Sequence, residues 1–182
     1  RGQIAAAILK RHRCEGNGLV RALGRRRGFD AGIGTGALDA QAAQQELNAL
    51  AWCDHADPAL FEVGTDREVL AELGWADADQ VVGILAELSP IKDHDTFLRA
   101  ARLVVRELPG ARFLVIGDGA RRGALEQLSA ELGISANVHF TGVRRDVGRL
   151  LRAIDVFALS SVTVECFSIA LLEAMACARP AV

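Results

Sequence analysis

The sequence of 182 residues contains no tyrosine, and aromatic residues make up only 5% of it. No apolar run reaches the roughly 18 to 20 residues that a membrane-spanning helix requires. The four cysteines show no C-x-x-C spacing and no paired histidines, so neither a zinc site nor a disulfide framework is predicted. We expect reduced, structural thiols and a cytoplasmic protein.

Charge is distributed unevenly along the chain, although the net charge is only -2. Residues 1–30 are basic and include three consecutive arginines at residues 25–27, whereas residues 31–80 are strongly acidic. The basic segment lacks interleaved aromatic residues, on which nucleic-acid bases commonly stack. We therefore expect no nucleic-acid partner.

The hydrophobic pattern changes near residue 80. Residues 1–79 are irregular and are expected to form an N-terminal segment with an interdomain linker. Short helices are predicted there at residues 4–10, 40–51 and 66–73. The Gly-Ile-Gly-Thr-Gly sequence at residues 32–36 is interpreted as a flexible linker, because the strand that precedes a phosphate-binding loop is missing.

Residues 80–182 alternate short apolar runs with segments of helical periodicity. Strands are predicted at residues 81–85, 112–116, 138–141 and 154–159, and the last two residues could begin a fifth. Helices are predicted to carry apolar faces at residues 97–108, 125–132, 146–153 and 168–177. Strands that are each followed by a helix require a parallel sheet with right-handed crossovers. The predicted fold class is α/β, with a doubly wound, Rossmann-like parallel sheet.

Ligands of such sheets bind beyond the carboxyl ends of the strands, near helix N-termini. The loops that follow the four predicted strands are therefore expected to share one edge, which we call the rim. These loops are residues 86–94, 117–121, 142–146 and 160–168.

The helix predicted at residues 168–177 carries one charged side chain, Glu173, among apolar and small residues. A buried carboxylate without a partner costs several kcal/mol, and no lysine or arginine lies at helical spacing from it. Either a distant side chain or a ligand must partner it. Glu173 lies roughly 8 Å beyond the helix start, so a ligand with phosphates at the helix N-terminus could reach it with a ribose.

Glu165 and Glu173, followed by Ala-Met-Ala, resemble the paired glutamates of the family 4 retaining glycosyltransferases, which have the two-domain GT-B architecture. Further motifs occur in the order and spacing of that family: Ser-Pro-x-Lys at residues 89–92, Gly-Asp-Gly at 117–119, Phe-Thr-Gly at 140–142, Asp-Val-Phe at 155–157 and Ala-Arg-Pro at 178–180. Residues 57–61 resemble the interdomain segment. The resemblance covers about residues 80–182 and implies a truncated C-terminal, donor-binding domain.

The resemblance implies that a nucleotide-diphosphate-sugar donor binds on the rim and that the sugar is transferred with retention, without an obligatory metal or other cofactor. By resemblance, Glu165 is the catalytic residue that contacts the donor sugar, Glu173 holds the ribose hydroxyls and Lys92 neutralises the diphosphate. The other donor-binding residues that it implies are Gly117, Gly119, Val143, Arg144, Phe167 and Ser168. In this scheme the amides near Phe167 and Ser168 bind the diphosphate, and the loop at Val143 and Arg144 lies against the base.

The resemblance leaves the acceptor open among a glycan, a lipid and a small molecule, and it is compatible with peripheral membrane association of the parent enzyme. The sequence departs from the family at Glu87, where an arginine usually binds the diphosphate, and at Cys166, where glycine is usual. Residues 1–60 do not resemble the acceptor-binding domain. The isolated chain is therefore expected to lack appreciable transferase activity, and a non-catalytic nucleotide-binding or interaction module stays open as the alternative.

Two Asp-x-Asp sequences, at residues 77–79 and 93–95, are similar to the metal site of the other glycosyltransferase fold, but neither follows an apolar strand in the right way. We interpret Asp93 and Asp95 as first-turn acids of the following helix, where they favour its dipole. His94 is predicted to be a surface histidine. No metal site is expected.

Overall fold

The computed structural model describes residues 61–75, 80–162 and 168–182. Helices in these ranges are α1 (Glu68–Glu72), α2 (His94–Glu107), α3 (Arg122–Glu131), α4 (Val147–Ala153) and α5 (Ile169–Ala176). Strands are β1 (Val81–Leu85), β2 (Arg112–Ile116), β3 (Val138–Gly142) and β4 (Val156–Phe157). The predictions made for residues 1–60 and 77–79 lie outside the described residues.

The four strands form one parallel sheet in the order β3-β2-β1-β4. Ala181 forms a parallel bridge with Phe157, and the amide of Leu159 donates to the carbonyl of Val182 over 2.8 Å. A fifth strand therefore begins beside β4, as predicted. The first strand lies inside the sheet and the chain winds outward from it in both directions, which confirms the doubly wound α/β fold.

Helices cover both faces of the sheet. On one face, α1, α4 and α5 pack on a core that includes Leu70, Leu114, Leu151 and Ala174. On the other face, α2 and α3 pack through Phe97 and Leu125 against strand residues such as Phe113, whose ring meets that of Phe97 edge to face at 5.9 Å. The apolar side of each helix thus faces the sheet, and the right-handed crossovers determine which face of the sheet each helix covers.

Three elements differ from their predicted form. Strand β4 has two residues instead of the predicted six, although the amides of Asp155 and Ala158 on either side of it still donate to β1 carbonyls over 2.8 Å. The helix predicted at residues 66–73 is confined to Glu68–Glu72. The composition of α5, apolar apart from Glu173, predicts a helix buried on nearly all sides, yet only Ala174 and Ala176 among its residues are fully buried and the others are half-buried.

Residues 61–75 pack on the sheet domain, which the sequence pattern did not indicate. Phe61, Val69 and Leu70 are buried in the core shared with α4 and α5. The Arg179 guanidinium, only 9% exposed, donates to the carbonyl oxygens of Gly64 at 2.6 Å, Ile154 at 3.0 Å and Cys177 at 2.8 Å. A buried arginine whose donors are satisfied by three carbonyls ties this upstream segment to the end of the chain.

Candidate functional site

The rim loops are joined by backbone hydrogen bonds. The amide of Ala86 donates to Ile116 and that of Leu88 to Asp118, each over 3.0 Å, and the amide of Gly117 donates to Gly142 over 3.1 Å. The fourth loop is attached to the first, because the Ser160 hydroxyl donates to the Lys92 carbonyl over 2.8 Å and the Val162 amide to the Ile91 carbonyl over 3.2 Å. The described parts of the four loops therefore share one edge of the sheet, as predicted.

Gly117 and Gly119 are required by the close approach of the first two loops. Gly117 has φ 131°, and a Cβ there would lie 2.1 Å from the carbonyl oxygen of Ala86. A Cβ at Gly119 would lie 2.7 Å from the carbonyl oxygen of Leu88. Both glycines thus have a structural reason to be present, and their contact with a donor stays a prediction.

Lys92 ends a single 3-10 turn, Pro90–Lys92, directly before α2. Asp93 follows in the left-handed region with φ 44° and caps the helix by accepting from the Thr96 amide at 3.3 Å. Asp95 pairs with Arg121, whose hydrogen bonds and charge hold the pKa of Asp95 below its ordinary value. Asp95 thus lies in the first turn of the helix, as predicted, whereas Asp93 precedes that turn as its N-cap. Among the described residues, no group of three histidine, cysteine or acidic side chains is placed to hold a metal ion.

His94 is buried, so its prediction as a surface residue is wrong. The side chain is 0% exposed, and neither ring nitrogen has a hydrogen-bond partner among the described residues. Burial, followed by the charge of Arg121, lowers the pKa of His94 to about 4. The sequence did contain the relevant pattern: His94 precedes Phe97 by three residues and Leu98 by four, which places it on the buried stripe of α2.

The loop after β3 exposes Val143 and fixes Arg144. The Val143 side chain is 81% exposed. The Arg144 guanidinium donates twice to Asp146, at 2.7 and 2.6 Å, and lies 3.9 Å from Glu72 of α1. The Asp146 carboxylate raises the pKa of Arg144 above its ordinary value. Because this guanidinium is already bound within its own loop, the exposed Val143 is the more accessible of the two residues predicted to meet a base.

Glu173 lies on α5, whose first turn is capped by the Ser168 hydroxyl accepting from the Leu171 amide at 3.3 Å. The Glu173 side chain is half-buried, and its carboxylate has neither a hydrogen bond nor an ion pair to any residue in the described ranges. Burial raises the pKa of Glu173 from 4.5 to about 7. Glu165, Cys166 and Phe167 lie outside the described residues.

Sheet, rim and helix caps define an α/β domain of the Rossmann type, in which ligands bind at the edge where the strands end. Residues 79–182 match the family model described as "Glycosyl transferases group 1". The chain belongs to this family.

Curated relatives carry related names. Over 158 residues the chain is 32% identical to a D-inositol 3-phosphate glycosyltransferase of Mycobacteroides abscessus, covering 76% of this chain and 34% of the relative. Over 119 residues it is 32% identical to a GDP-mannose-dependent monoacylated alpha-(1-6)-phosphatidylinositol monomannoside mannosyltransferase of Corynebacterium glutamicum. This alignment covers 61% of this chain and 31% of the relative. The chain thus spans about a third of the length of these relatives.

Solved structures share the fold. Anabaena Alr3699/HepE in complex with UDP and glucose superposes with a TM-score of 0.62 at 28% identity, over 69% of this chain and 35% of that chain. WaaG, a glycosyltransferase involved in lipopolysaccharide biosynthesis, superposes with a TM-score of 0.56 at 25% identity, over 66% of this chain and 32% of that chain. In the described part of this chain, no helix is long and apolar enough to cross a membrane.

Proposed function

We propose that residues 80–182 bind the nucleoside diphosphate part of a nucleotide-sugar donor on the rim. The protein to which this domain belongs then transfers the sugar to an acceptor with retention of the anomeric configuration. The acceptor is a glycan, a lipid or a small molecule, and the parent enzyme could associate peripherally with a membrane. In this scheme the diphosphate is neutralised by Lys92 and by the N-terminus of α5 without an obligatory metal.

The observation that carries this proposal is the carboxylate of Glu173, which has no partner among the described residues. A half-buried carboxylate without a cation destabilises the empty domain, and hydrophobic neighbours favour its protonated form. The two adjacent hydroxyls of a ribose can donate to its two oxygens, so that a bound nucleotide supplies the partner that the described chain lacks. Support comes from the relatives, because Alr3699/HepE of similar fold was crystallised with UDP.

The roles of the other predicted residues follow from this orientation. With the ribose on Glu173, the phosphates lie toward Ser168 at the start of α5, and Lys92 approaches them from the adjoining loop. Val143 then meets the base from the loop after β3. Glu165, the predicted catalytic residue, contacts the donor sugar in this scheme.

A second candidate is a nucleotide-binding or interaction module that no longer catalyses. Glu87 favours it, because its exposed side chain places a carboxylate on the loop that also carries Lys92. Two negative charges near each other repel, so Glu87 should weaken diphosphate binding in comparison with an arginine.

Calorimetric titration of the 182-residue chain with UDP, GDP and ADP tests the proposal. At least one nucleotide should bind, and Glu173→Ala should weaken that binding by about tenfold or more, because a charge-assisted contact is lost. Glu68→Gln is the matched control, since it removes an exposed helical carboxylate that has no role in this scheme and should leave affinity unchanged.

Either of two results would refute the proposal. One is the absence of binding by all three nucleotides. The other is unchanged nucleotide affinity in a Glu173→Ala protein whose melting temperature alone has shifted, because Glu173 would then serve stability only.

A further inference from the structure

Residues 61–75, the upstream segment, pack on both elements that flank the rim loop after β3. α1 shares a buried core with α4, the helix that follows this loop, through residues such as Leu70 and Leu151. Beyond α1, the Trp75 ring meets the His139 ring of β3 edge to face, with the ring centroids 6.0 Å apart. The upstream segment therefore contacts the elements at both ends of the loop.

Ion pairs add contacts between the upstream segment and the loop itself. Glu72 of α1 lies 3.9 Å from the guanidinium of Arg144 in the loop and 3.3 Å from that of Arg149 on α4. Asp66 accepts from the Arg149 guanidinium at 2.9 and 3.5 Å. Arg144 in turn donates twice to Asp146 within the loop. These side chains connect the upstream segment, the loop and α4 in one network of charges.

The network determines where the exposed tip of the loop lies. A single exposed ion pair stabilises little, but two-point contacts between arginine and carboxylate that join into a network hold the side chains more firmly. Arg144 has such contacts, and its side chain is 29% exposed. The adjacent Val143 is 81% exposed, so its own packing cannot fix its position. The position of Val143 therefore depends on the attachment of Arg144.

We propose that the upstream segment is a positioning element of the donor site, in which Glu72, through Arg144, holds the loop where Val143 meets the base. The inference rests on the proposed function, because it takes Val143 as the residue that contacts the base. Arg144 is then a positioning residue and not a direct ligand. A loop that is already fixed need not be ordered when the nucleotide binds, which favours affinity. A segment that precedes the family match at residues 79–182 thus contributes to nucleotide binding.

Nuclear magnetic resonance relaxation of the 182-residue chain without ligand tests the positioning itself. The backbone amides of residues 143–145 should have order parameters of about 0.85 in the unaltered protein, as is typical of rigid backbone. Glu72→Gln should lower these values, because the uncharged amide no longer attracts Arg144 and Arg149. Glu68→Gln is the matched control, since it makes the same chemical change at an exposed residue one turn earlier on α1 and should leave the values unchanged.

Titrations with UDP and with ribose 5-phosphate, which lacks the base, test the effect on the ligand. Glu72→Gln should weaken UDP binding about two- to fivefold, the loss expected for exposed ion pairs that belong to a network. It should leave the affinity for ribose 5-phosphate unchanged, because only the contact with the base is affected. Arg144→Gln should weaken UDP binding at least as much. The double variant should bind UDP no more weakly than Arg144→Gln alone, because Glu72 acts through Arg144.

Several outcomes would overturn the inference. Equal order parameters of residues 143–145 in Glu72→Gln and Glu68→Gln would do so, as would an equal loss of affinity for UDP and ribose 5-phosphate, which indicates general destabilisation. Fully additive losses in the double variant would contradict an action through Arg144. If Arg144→Gln fails to fold, Glu72→Gln decides alone. Absence of UDP binding by the unaltered chain refutes the proposed function and this inference with it, whereas UDP binding that Glu72→Gln leaves unchanged refutes only the inference.

Discussion

The free energy of unfolding should depend on pH through Glu173 and His94 in opposite directions. Burial raises the pKa of Glu173 from 4.5 to about 7. Between these pH values the folded protein therefore holds a proton that the unfolded chain has already lost. Stability that is present below pH 4.5 is therefore lost as pH rises toward 7. At about 1.4 kcal/mol per pH unit the loss reaches about 3.5 kcal/mol, and partial exposure of the carboxylate reduces it to about 2 kcal/mol.

His94 acts in the reverse sense. Burial lowers its pKa from 6.5 to about 4, so the folded protein resists a proton that the unfolded chain accepts. Stability contributed by neutral His94 is fully present above pH 6.5 and is lost as pH falls toward 4, by about 3.5 kcal/mol. Between about pH 4.5 and 6.5 the two effects oppose each other. The acids Asp66, Asp95 and Asp146 do not enter this window, because arginine partners hold their pKa values below 3.8.

Urea unfolding followed by circular dichroism between pH 4.5 and 8 measures this opposition. The unaltered protein should show a flatter profile from pH 4.5 to 6.5 than the variants that lose Glu173 or His94. Glu173→Gln should become more stable as pH rises, because only the histidine effect remains, and His94→Phe should become less stable. Glu68→Gln, at an exposed carboxylate, should run parallel to the unaltered protein. Parallel profiles for Glu173→Gln and the unaltered protein would refute the idea that Glu173 is held protonated by burial.

Nucleotide binding offers a second readout of Glu173. If a ribose binds to the ionised carboxylate, binding near pH 6 must release a proton, and UDP affinity should rise between pH 6 and 8. Calorimetry in two buffers of different ionisation enthalpy measures the released proton directly. A binding enthalpy that is identical in both buffers would show that Glu173 does not change its protonation state on binding.

Two further predictions concern the rim loops. Glu87→Arg should tighten UDP binding by about fivefold. This corresponds to about 1 kcal/mol for replacing a repulsive charge by an attractive one at an exposed site. Unchanged affinity in a calorimetric titration would contradict the placement of the diphosphate near residue 87. Gly119→Ala should destabilise the domain by about 1–3 kcal/mol in urea unfolding, because its Cβ would meet the Leu88 backbone. Gly123→Ala is the control and should not destabilise the domain, because Gly123 lies in a helix and a Cβ there has open space. Equal stability of the two variants would show that the loops separate easily.

The alternation of apolar runs and helical periodicity predicted the order of strands and helices, because sheet pairing and helix packing in this fold obey local patterns. The same approach identified Glu173 as a carboxylate without a basic neighbour on its own helix, since the absence of a basic residue at helical spacing can be read from the sequence. It missed His94, whose neighbours Asp93 and Asp95 are typical of an exposed helix start, although the spacing to Phe97 places it on the buried stripe.

The packing of residues 61–75 could not be predicted in this way. Arg179 and Gly64, whose atoms lie 2.6 Å apart, are separated by 115 residues along the chain. Asp66 and Arg149, paired at 2.9 Å, are separated by 83. Such pairs leave no periodic trace in one sequence, because each depends on the folded positions of both partners. Contacts of this kind are visible only once the three-dimensional fold is available.

The side chain of residue 87 should affect ligand binding without affecting the stability of the fold. The backbone of Glu87 contributes to the rim by accepting from the Ser89 amide at 2.8 Å, which a residue of any type can do, and its side chain is exposed. Exchanging Glu87 for arginine should therefore leave the free energy of unfolding unchanged while altering the electrostatic field at the phosphates. Gly119 behaves in the opposite way, because a side chain added there would meet the Leu88 backbone and lower the free energy of unfolding whether or not a nucleotide is present. A gain in UDP affinity for Glu87→Arg at constant stability would thus show that the fold of the donor site is intact and that the Glu87 side chain limits its affinity for UDP. This result would favour the non-catalytic module for this chain, and it would agree with nucleotide binding on the rim.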